Sequence, residues 1–236
     1  MGLPKIELPL FEAKIASSKE KVKFRPFTVK EEKILLMAQE TNEPTQVLLA
    51  MKQIVNNCCL DVDAETLPLF DLEYLLLHIR GKSVNNMIQF TITDPETEKP
   101  VDCEIDIDQI ELRIPEGHSK EIEINDDTRM LMRYPKLDQV SVFIDAVMPE
   151  NNTVDALFDV MVSCIECVVV GDEVQNLDDY SAEEIKQFVE NLPGKAINDL
   201  KFFFESMPTL SYDLEYQNSE GETKRMVLEG TQTFFL

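Results

Sequence analysis

Residues 5–40 read KIELPLFEAKIASSKEKVKFRPFTVKEEKILLMAQE, and this stretch decides the fold of the N-terminal third. Apolar and polar residues alternate on both sides of Ser17-Ser18, which predicts a β-hairpin. Thr28 followed by Glu31 is a capping box, and apolar residues then recur at helical spacing, so a helix is predicted to begin near Val29. A hairpin that leads directly into a helix is typical of an α+β fold.

The helical and the alternating spacing of apolar residues also divide the rest of the chain into predicted helices and strands. Helical spacing predicts one helix after Pro44 and another that ends near Gly81. Period-two alternation then predicts a sheet region with strands at 87–92, 103–107, 121–124 and 130–134. Further helices are predicted at 137–147, from a cap at 151–153 to Gly171, after the capping box of Ser181 and Glu184, and around Leu200. Alternating runs at 210–216 and 225–228 flank turn residues and predict a final hairpin.

We therefore predict an α+β fold with an N-terminal hairpin and helical group, a β-rich insert in the middle, and a helical second half that ends in a β-hairpin. Long repeats and linkers rich in Pro, Gly or Ser are absent from the sequence. Residues 1–236 are accordingly predicted to form a single α+β unit with a β-rich subdomain at 84–134.

The charge balance restricts the class of partner. The sequence has 22 Lys plus Arg against 45 Asp plus Glu, a formal net charge of -23. Nucleic acid and anionic membrane surfaces are disfavoured as partners, because both require clustered cations. Two interpretations of the acidity stay open. It keeps the protein soluble, or it forms an acidic surface that matches a basic partner or mimics nucleic acid.

Cysteine usage and the N-terminus indicate where the protein is made. Five cysteines follow no hydrophobic leader, and residues 1–10, MGLPKIELPL, contain no continuous apolar stretch. We expect neither a signal peptide nor a membrane span. We also expect the protein to be made in a reducing compartment.

Motifs that carry chemistry are scarce. The seven glycines form no phosphate-binding loop, and neither His78 nor His118 has a nucleophile at a recognisable spacing. Cys164 and Cys167 form a CxxC that falls in the middle of a predicted helix, where packing is the expected role. Acidic pairs are too numerous to single one out. We predict no catalytic, cofactor-binding or metal-binding residue and no enzymatic activity. A hydrolase that uses a carboxylate pair and a metal is a further hypothesis, which ranks third after the two given below.

Four segments together resemble a known family in their order and spacing. They are the opening at 5–40, FDLEYLLLHIRGKS at 70–83, CEIDIDQIE at 103–111, and FFESMPTLSYDLEYQ at 203–217, which is followed by VLEGTQTFF at 227–235. This combination is similar to the baseplate hub subunits and hub-assembly proteins of T4-like bacteriophages.

The resemblance implies a structural or chaperone-like assembly component of a contractile-tail baseplate hub. Such a protein acts by contacts with other hub and tail proteins, and a homo-oligomer is left open. The resemblance implies residence in the host cytoplasm during assembly and leaves residence in the virion tail baseplate open. The runner-up hypothesis is an acidic inhibitor or nucleic-acid mimic that binds a basic host protein.

The sequence departs from its relatives in two loops. Many relatives carry CxxC pairs in these loops, whereas residues 94–98 and 218–222 contain no cysteine here. No metal is therefore expected.

Aromatic and arginine side chains often anchor protein interfaces, which selects two candidate contact segments. The alternative for both is packing within the same chain. The candidates are Phe24, Arg25, Pro26, Phe27, Phe234, Phe235 and Leu236.

Overall fold

The fold is that of a computed structural model, which describes residues 6–41, 43–137 and 154–230. The α+β class predicted from the sequence is confirmed. The helices described are α1 (Val29–Thr41), α2 (Pro44–Cys58), α3 (Leu69–Ser83), α4 (Val154–Ser163), α5 (Ala182–Glu190) and α6 (Gly194–Glu205). The strands described are β1 (Phe11–Lys14), β2 (Lys21–Phe24), β3 (Cys59–Leu60), β4 (Met87–Thr93), β5 (Pro100–Asp106), β6 (Glu111–Arg113), β7 (Glu121–Asn125), β8 (Thr128–Met132), β9 (Ile165–Val170), β10 (Glu173–Asn176), β11 (Thr209–Gln217) and β12 (Thr223–Glu229).

The chain divides into two compact units. One combines the residues up to Arg113 with those from Thr209 onward, and the other spans Ile114–Pro208. The β-rich segment predicted at 84–134 is therefore shared between the two units. The single α+β unit stays a prediction.

The first unit is built around α3. Its strands form the antiparallel sheets β1-β2-β3 and β12-β11-β6 and the hairpin β4-β5. The helix is buried on most sides, and five of its apolar side chains are at most 1% exposed: Leu72, Leu75, Leu76, Leu77 and Ile79. Asp71, also on α3, is fully buried, and its Oδ1 accepts the backbone N–H groups of Ala16 and Ser17 at 3.0 and 3.2 Å. The turn between β1 and β2 is thus fixed to the central helix.

The second unit packs helices on a four-stranded antiparallel sheet of order β10-β9-β8-β7. Its core joins sheet residues such as Met130, Met132 and Ile165 to Leu200 and Phe203 of α6. The capping box predicted at the start of α5 is confirmed.

One predicted helix is wrong beyond its first half. The helical spacing from Val154 to Gly171 predicted a single helix, but α4 ends at Ser163 and β9 begins at Ile165. The run at 165–170 is rich in β-branched residues, which favour the pleated conformation, and it pairs with β8 and β10.

The other predicted elements have mixed outcomes. Both terminal hairpins are confirmed. The middle strands form two separate sheets, because β4 pairs with β5 whereas β7 pairs with β8. The cap at 151–153 and, except for its first residue, the helix at 137–147 lie outside the described residues.

Candidate partner-contact surface

The Phe24-Arg25-Pro26-Phe27 segment connects β2 to α1. Phe24 is 1% exposed, and its ring lies 5.9 Å from that of Phe11, centroid to centroid. Pro26 is buried, whereas Arg25 and Phe27 are half-buried. The backbone N–H of Phe27 donates to the Ser83 hydroxyl at 2.8 Å. Packing within the chain, the alternative that the sequence left open, therefore accounts for much of this segment. Its contact with a partner stays a prediction.

Arg25 is held by a buried carboxylate rather than presented to solvent. Its Nη2 donates to Oε1 of Glu31 at 3.1 Å, and its Nη1 donates to the carbonyl of Pro26 at 2.9 Å. Thr28 donates to Oε2 of Glu31 through its backbone N–H at 2.9 Å and its hydroxyl at 2.6 Å. Glu31 is 1% exposed. The network links the segment after β2 to the first turn of α1.

The hydrogen bonds of this network outweigh the cost of burying Glu31. Burial alone would raise the pKa of Glu31, but the bonds from Arg25 and Thr28 hold that pKa at about 2. The same ion pair raises the pKa of Arg25. Both groups are therefore charged at neutral pH.

The outer side of α1 carries three exposed apolar side chains together with the exposed Lys33 and Glu40. Val29, Leu36 and Met37 are 79%, 55% and 58% exposed. They lie seven and eight residues apart, so they fall on one side of the helix, opposite the buried Glu31 and Ala38. Sequence reasoning missed this stripe, although α1 has more apolar residues than one buried face requires.

The N-terminal segment is basic in an otherwise acidic chain. Residues 1–33 contain eight Lys or Arg and five Asp or Glu, whereas residues 34–236 contain 14 and 40. The lysines described in this segment are exposed: Lys14, Lys19, Lys21, Lys23, Lys30 and Lys33. We call these lysines, together with Val29, Leu36 and Met37, the N-terminal contact surface. The other candidate segment, Phe234 to Leu236, lies outside the described residues and stays a prediction.

His118 contacts a serine that sequence spacing did not reveal. Its Nδ1 lies 2.9 Å from the Ser206 hydroxyl, and its Nε2 lies 2.9 Å from the Tyr134 hydroxyl. The Ser206 hydroxyl donates to the carbonyl of Phe202, so it accepts from Nδ1, and Nε2 then accepts from Tyr134. Ser206 is 2% exposed. The Ser206 hydroxyl donates its proton to the carbonyl of Phe202, and its oxygen is shielded from solvent. The His118–Ser206 pair is therefore a structural hydrogen bond rather than a nucleophile with its general base.

The cysteines are also structural. All five are free and buried. Cys164 lies in the turn before β9 and Cys167 lies within β9, so neither is inside a helix. Burial raises the pKa of Cys164 to about 11 and also raises that of Cys167. Across 6–41, 43–137 and 154–230, His, Cys, Asp and Glu nowhere group in a way that could hold a metal ion.

The turn between β4 and β5 is joined to the final hairpin by polar contacts. The Tyr216 hydroxyl donates to Oδ2 of Asp94 at 2.7 Å. Lys224 lies 2.6 Å from a Glu96 carboxylate oxygen and 3.0 Å from a Glu222 carboxylate oxygen. The bond from Tyr216 is the main reason that the pKa of Asp94 is lowered. Polar contacts thus connect the β4–β5 turn to the final hairpin.

The family comparison gives the class of protein: the chain is a phage baseplate component. It belongs to the T4 bacteriophage base plate protein family, whose model matches residues 8–236. Neither the curated proteins nor the solved structures include a match to the chain. In the described part of the chain, the helices are all too short or too polar to cross a membrane.

Proposed function

We propose that the chain is a component of the central baseplate hub and acts, in the structure or as a chaperone-like assembly factor, by binding other hub and tail proteins. It is proposed to be made in the host cytoplasm and to have no enzymatic activity. Neither nucleic acid nor membrane is among the proposed partners. The observation that carries the proposal is the exposed apolar stripe of α1 within the N-terminal contact surface.

An apolar stripe of this kind is stabilised when a partner covers it. Three large side chains, each more than half exposed, lie on one side of a single helix in Val29, Leu36 and Met37. Each large apolar side chain that becomes fully buried contributes about 1.5–3 kcal/mol. Helix faces of this type commonly dock into an apolar groove.

The charge of the N-terminal segment indicates the character of the partner. Residues 1–33, with eight cations and five acids, attract an acidic face, whereas residues 34–236, with 14 cations and 40 acids, repel one. An acidic partner is thus directed toward this one region. The proposed partner is a hub protein with an apolar groove and an acidic rim.

Co-expression with neighbouring tail proteins tests this assignment. The wild-type chain is expected to co-purify with at least one of them, and the double substitution Leu36→Ser/Met37→Ser to lose that partner. Leu49→Ser is the matched control, because Leu49 is 49% exposed but lies on α2. Separate monomers in the wild-type co-expression, or equal losses in the control, would contradict the proposal.

Mass spectrometry distinguishes the two forms of the proposal. Purified virions contain the chain if it is structural, whereas only infected-cell lysate contains it if it is an assembly factor. The inhibitor hypothesis would be supported by acids grouped on one face. Of the 40 acids beyond residue 33, 20 belong to each unit, and this division gives that hypothesis no support.

A further inference from the structure

The strand β12 is the edge of the sheet β12-β11-β6, and among the strands that the structure describes it pairs with β11 alone. It is seven residues long, contains no proline, and pairs with β11 without a bulge. Proteins usually protect an edge of this kind with a proline, a bulge, a very short strand or charged side chains, and of these β12 has only the charged side chains of Lys224, Arg225 and Glu229. The middle of β12 instead carries Val227, which is 53% exposed. The edge is therefore suited to pair with another strand.

The hydrogen bonds of the hairpin decide which backbone groups face the open edge. The Asn218 N–H donates to the Glu222 carbonyl, and the Gly230 N–H donates to the Leu210 carbonyl, both at 3.0 Å. Hydrogen-bonded pairs alternate along an antiparallel ladder. The even-numbered residues of β12 therefore use their N–H and C=O on β11. The odd-numbered residues direct theirs outward.

We propose that β12 pairs with β12 of a second copy of this chain, antiparallel, about a two-fold axis at Val227. This register sets odd-numbered residues opposite odd-numbered residues, so outward N–H groups meet outward carbonyls. Val227 then faces its own counterpart, and Arg225 faces Glu229 of the second copy. On the opposite face, Met226 of each copy lies across from Leu228 of the other. About six hydrogen bonds join the two strands in this arrangement.

The neighbouring registers fail for a physical reason. A two-fold axis at Arg225 would set the two arginines opposite each other, and an axis at Glu229 would do the same with the two glutamates. Like charges directly opposite on a sheet are destabilising. An axis between two residues would direct outward groups against groups already bonded to β11. An axis at Met226 keeps the backbone bonds but sets Arg225 opposite Val227, so the opposite-charge pair is lost. Among these registers, only the axis at Val227 sets Arg225 opposite Glu229.

Arg225 has the capacity for this additional contact. Its side chain is 85% exposed, and its Nη2 lies 2.9 Å from a carboxylate oxygen of Glu215 on β11. A guanidinium has five N–H donors, so Arg225 can bind Glu215 and Glu229 of the second copy together. The pairing produces a closed two-fold dimer, because each strand meets the same strand. This inference does not depend on the hub assignment.

Charge exchange tests the register. Sedimentation velocity over a concentration series is expected to show a monomer–dimer equilibrium for the wild-type chain. Glu229→Lys and Arg225→Glu each set like charges opposite at both symmetric positions, and each should raise the dimer dissociation constant about tenfold or more. The double substitution Arg225→Glu/Glu229→Lys restores opposite charges and should restore dimerisation. Far-UV circular dichroism confirms that each variant is folded.

A cysteine at the axis provides a second readout. The five native thiols are buried, so Val227→Cys adds one exposed thiol directly opposite its counterpart. Opposite residues of a hydrogen-bonded pair have Cα atoms about 5.5 Å apart, which a disulfide spans. Val174→Cys is the matched control, because Val174 is a 67% exposed valine on the edge strand β10. Faster formation of a disulfide-linked dimer by Val227→Cys supports the proposal. A monomeric wild-type chain, a dimer unaffected by the single charge substitutions, or equal cross-linking at 174 and 227 would overturn it.

Discussion

Replacement of Glu31 by glutamine measures the contribution of the buried ion pair between the hairpin and α1. Glutamine keeps the shape of the protonated acid but brings an NH₂ group toward the donors of Arg25 or Thr28. The pKa of Glu31 is about 2 in the folded protein, against 4.5 ordinarily. That difference corresponds to about 3 kcal/mol of stability at neutral pH. We therefore expect Glu31→Gln to lower the free energy of unfolding by about 3 kcal/mol.

The pH dependence follows from the sign of this difference. The folded state binds the proton of Glu31 less tightly than the unfolded state, so the stabilisation is present above the unfolded pKa and is lost as the pH falls toward about 2. At about pH 3 the advantage of the wild type over Glu31→Gln should shrink to roughly 1 kcal/mol. Urea unfolding followed by circular dichroism at neutral and acidic pH measures both values.

A matched control exists in the capping box of α5. The Ser181 N–H and hydroxyl donate to Oε2 of Glu184 at 2.9 and 2.6 Å, the same distances as those between Thr28 and Glu31. Glu184 is exposed and bonded by no arginine in the structure as described. Glu184→Gln should cost clearly less than Glu31→Gln. Equal losses, or a Glu31→Gln loss that does not change with pH, would refute the argument.

Three further outcomes are expected. Burial and, to a lesser extent, the nearby charge of Lys120 lower the pKa of His118. From neutral to mildly acidic pH, the Tm of the wild type should therefore fall more steeply than the Tm of His118→Gln. Equal slopes of Tm against pH for the two proteins would contradict this. Burial raises the pKa of Asp71, and its Oδ2 has no partner in the described part of the chain, so Asp71→Asn should stay within about 1 kcal/mol of wild type. Asp71→Ala should cost about 1–3 kcal/mol in urea unfolding, because it removes the acceptor of two backbone bonds; similar losses in both variants would count against this account. If the chain is one α+β unit, calorimetry should give a single transition whose calorimetric and van't Hoff enthalpies agree, and two separable transitions would show that it is not.

Helices and strands were predicted correctly where the apolar residues follow a single spacing, either helical or alternating. The alternation around 87–106 and 209–229 and the capping boxes give local signals, and these elements appear where they were expected. The largely apolar run from Val160 to Val170, interrupted by Ser163 and Glu166, fits both periods, and no Gly or Pro marks the change at Cys164. Its pairing with β8, more than thirty residues earlier, decides the strand. Neither β6 nor β10 shows an alternation, because β6 has three residues and β10 has one apolar residue in four.

The contact surface was only partly accessible to sequence reasoning. Residue type selected Arg25, but the carboxylate that holds it belongs to the next helix, and its burial depends on the tertiary fold. The exposed stripe of α1 had two readable signals: too many apolar residues for one face, and a local excess of lysine. The bond between His118 and Ser206 joins residues 88 apart in sequence, and no local pattern reports it.

The burial of all five thiols has a consequence for the finished particle. A phage assembles in the reducing interior of a cell and is then released among oxidants, where accessible cysteines form disulfides or sulfenic acids. The reactive species is the thiolate, and the pKa of Cys164, Cys58 and Cys59, raised to about 11, 11 and 12, keeps that form rare at neutral pH. If the chain is part of the virion, its thiols are therefore expected to keep the same covalent state on both sides of lysis.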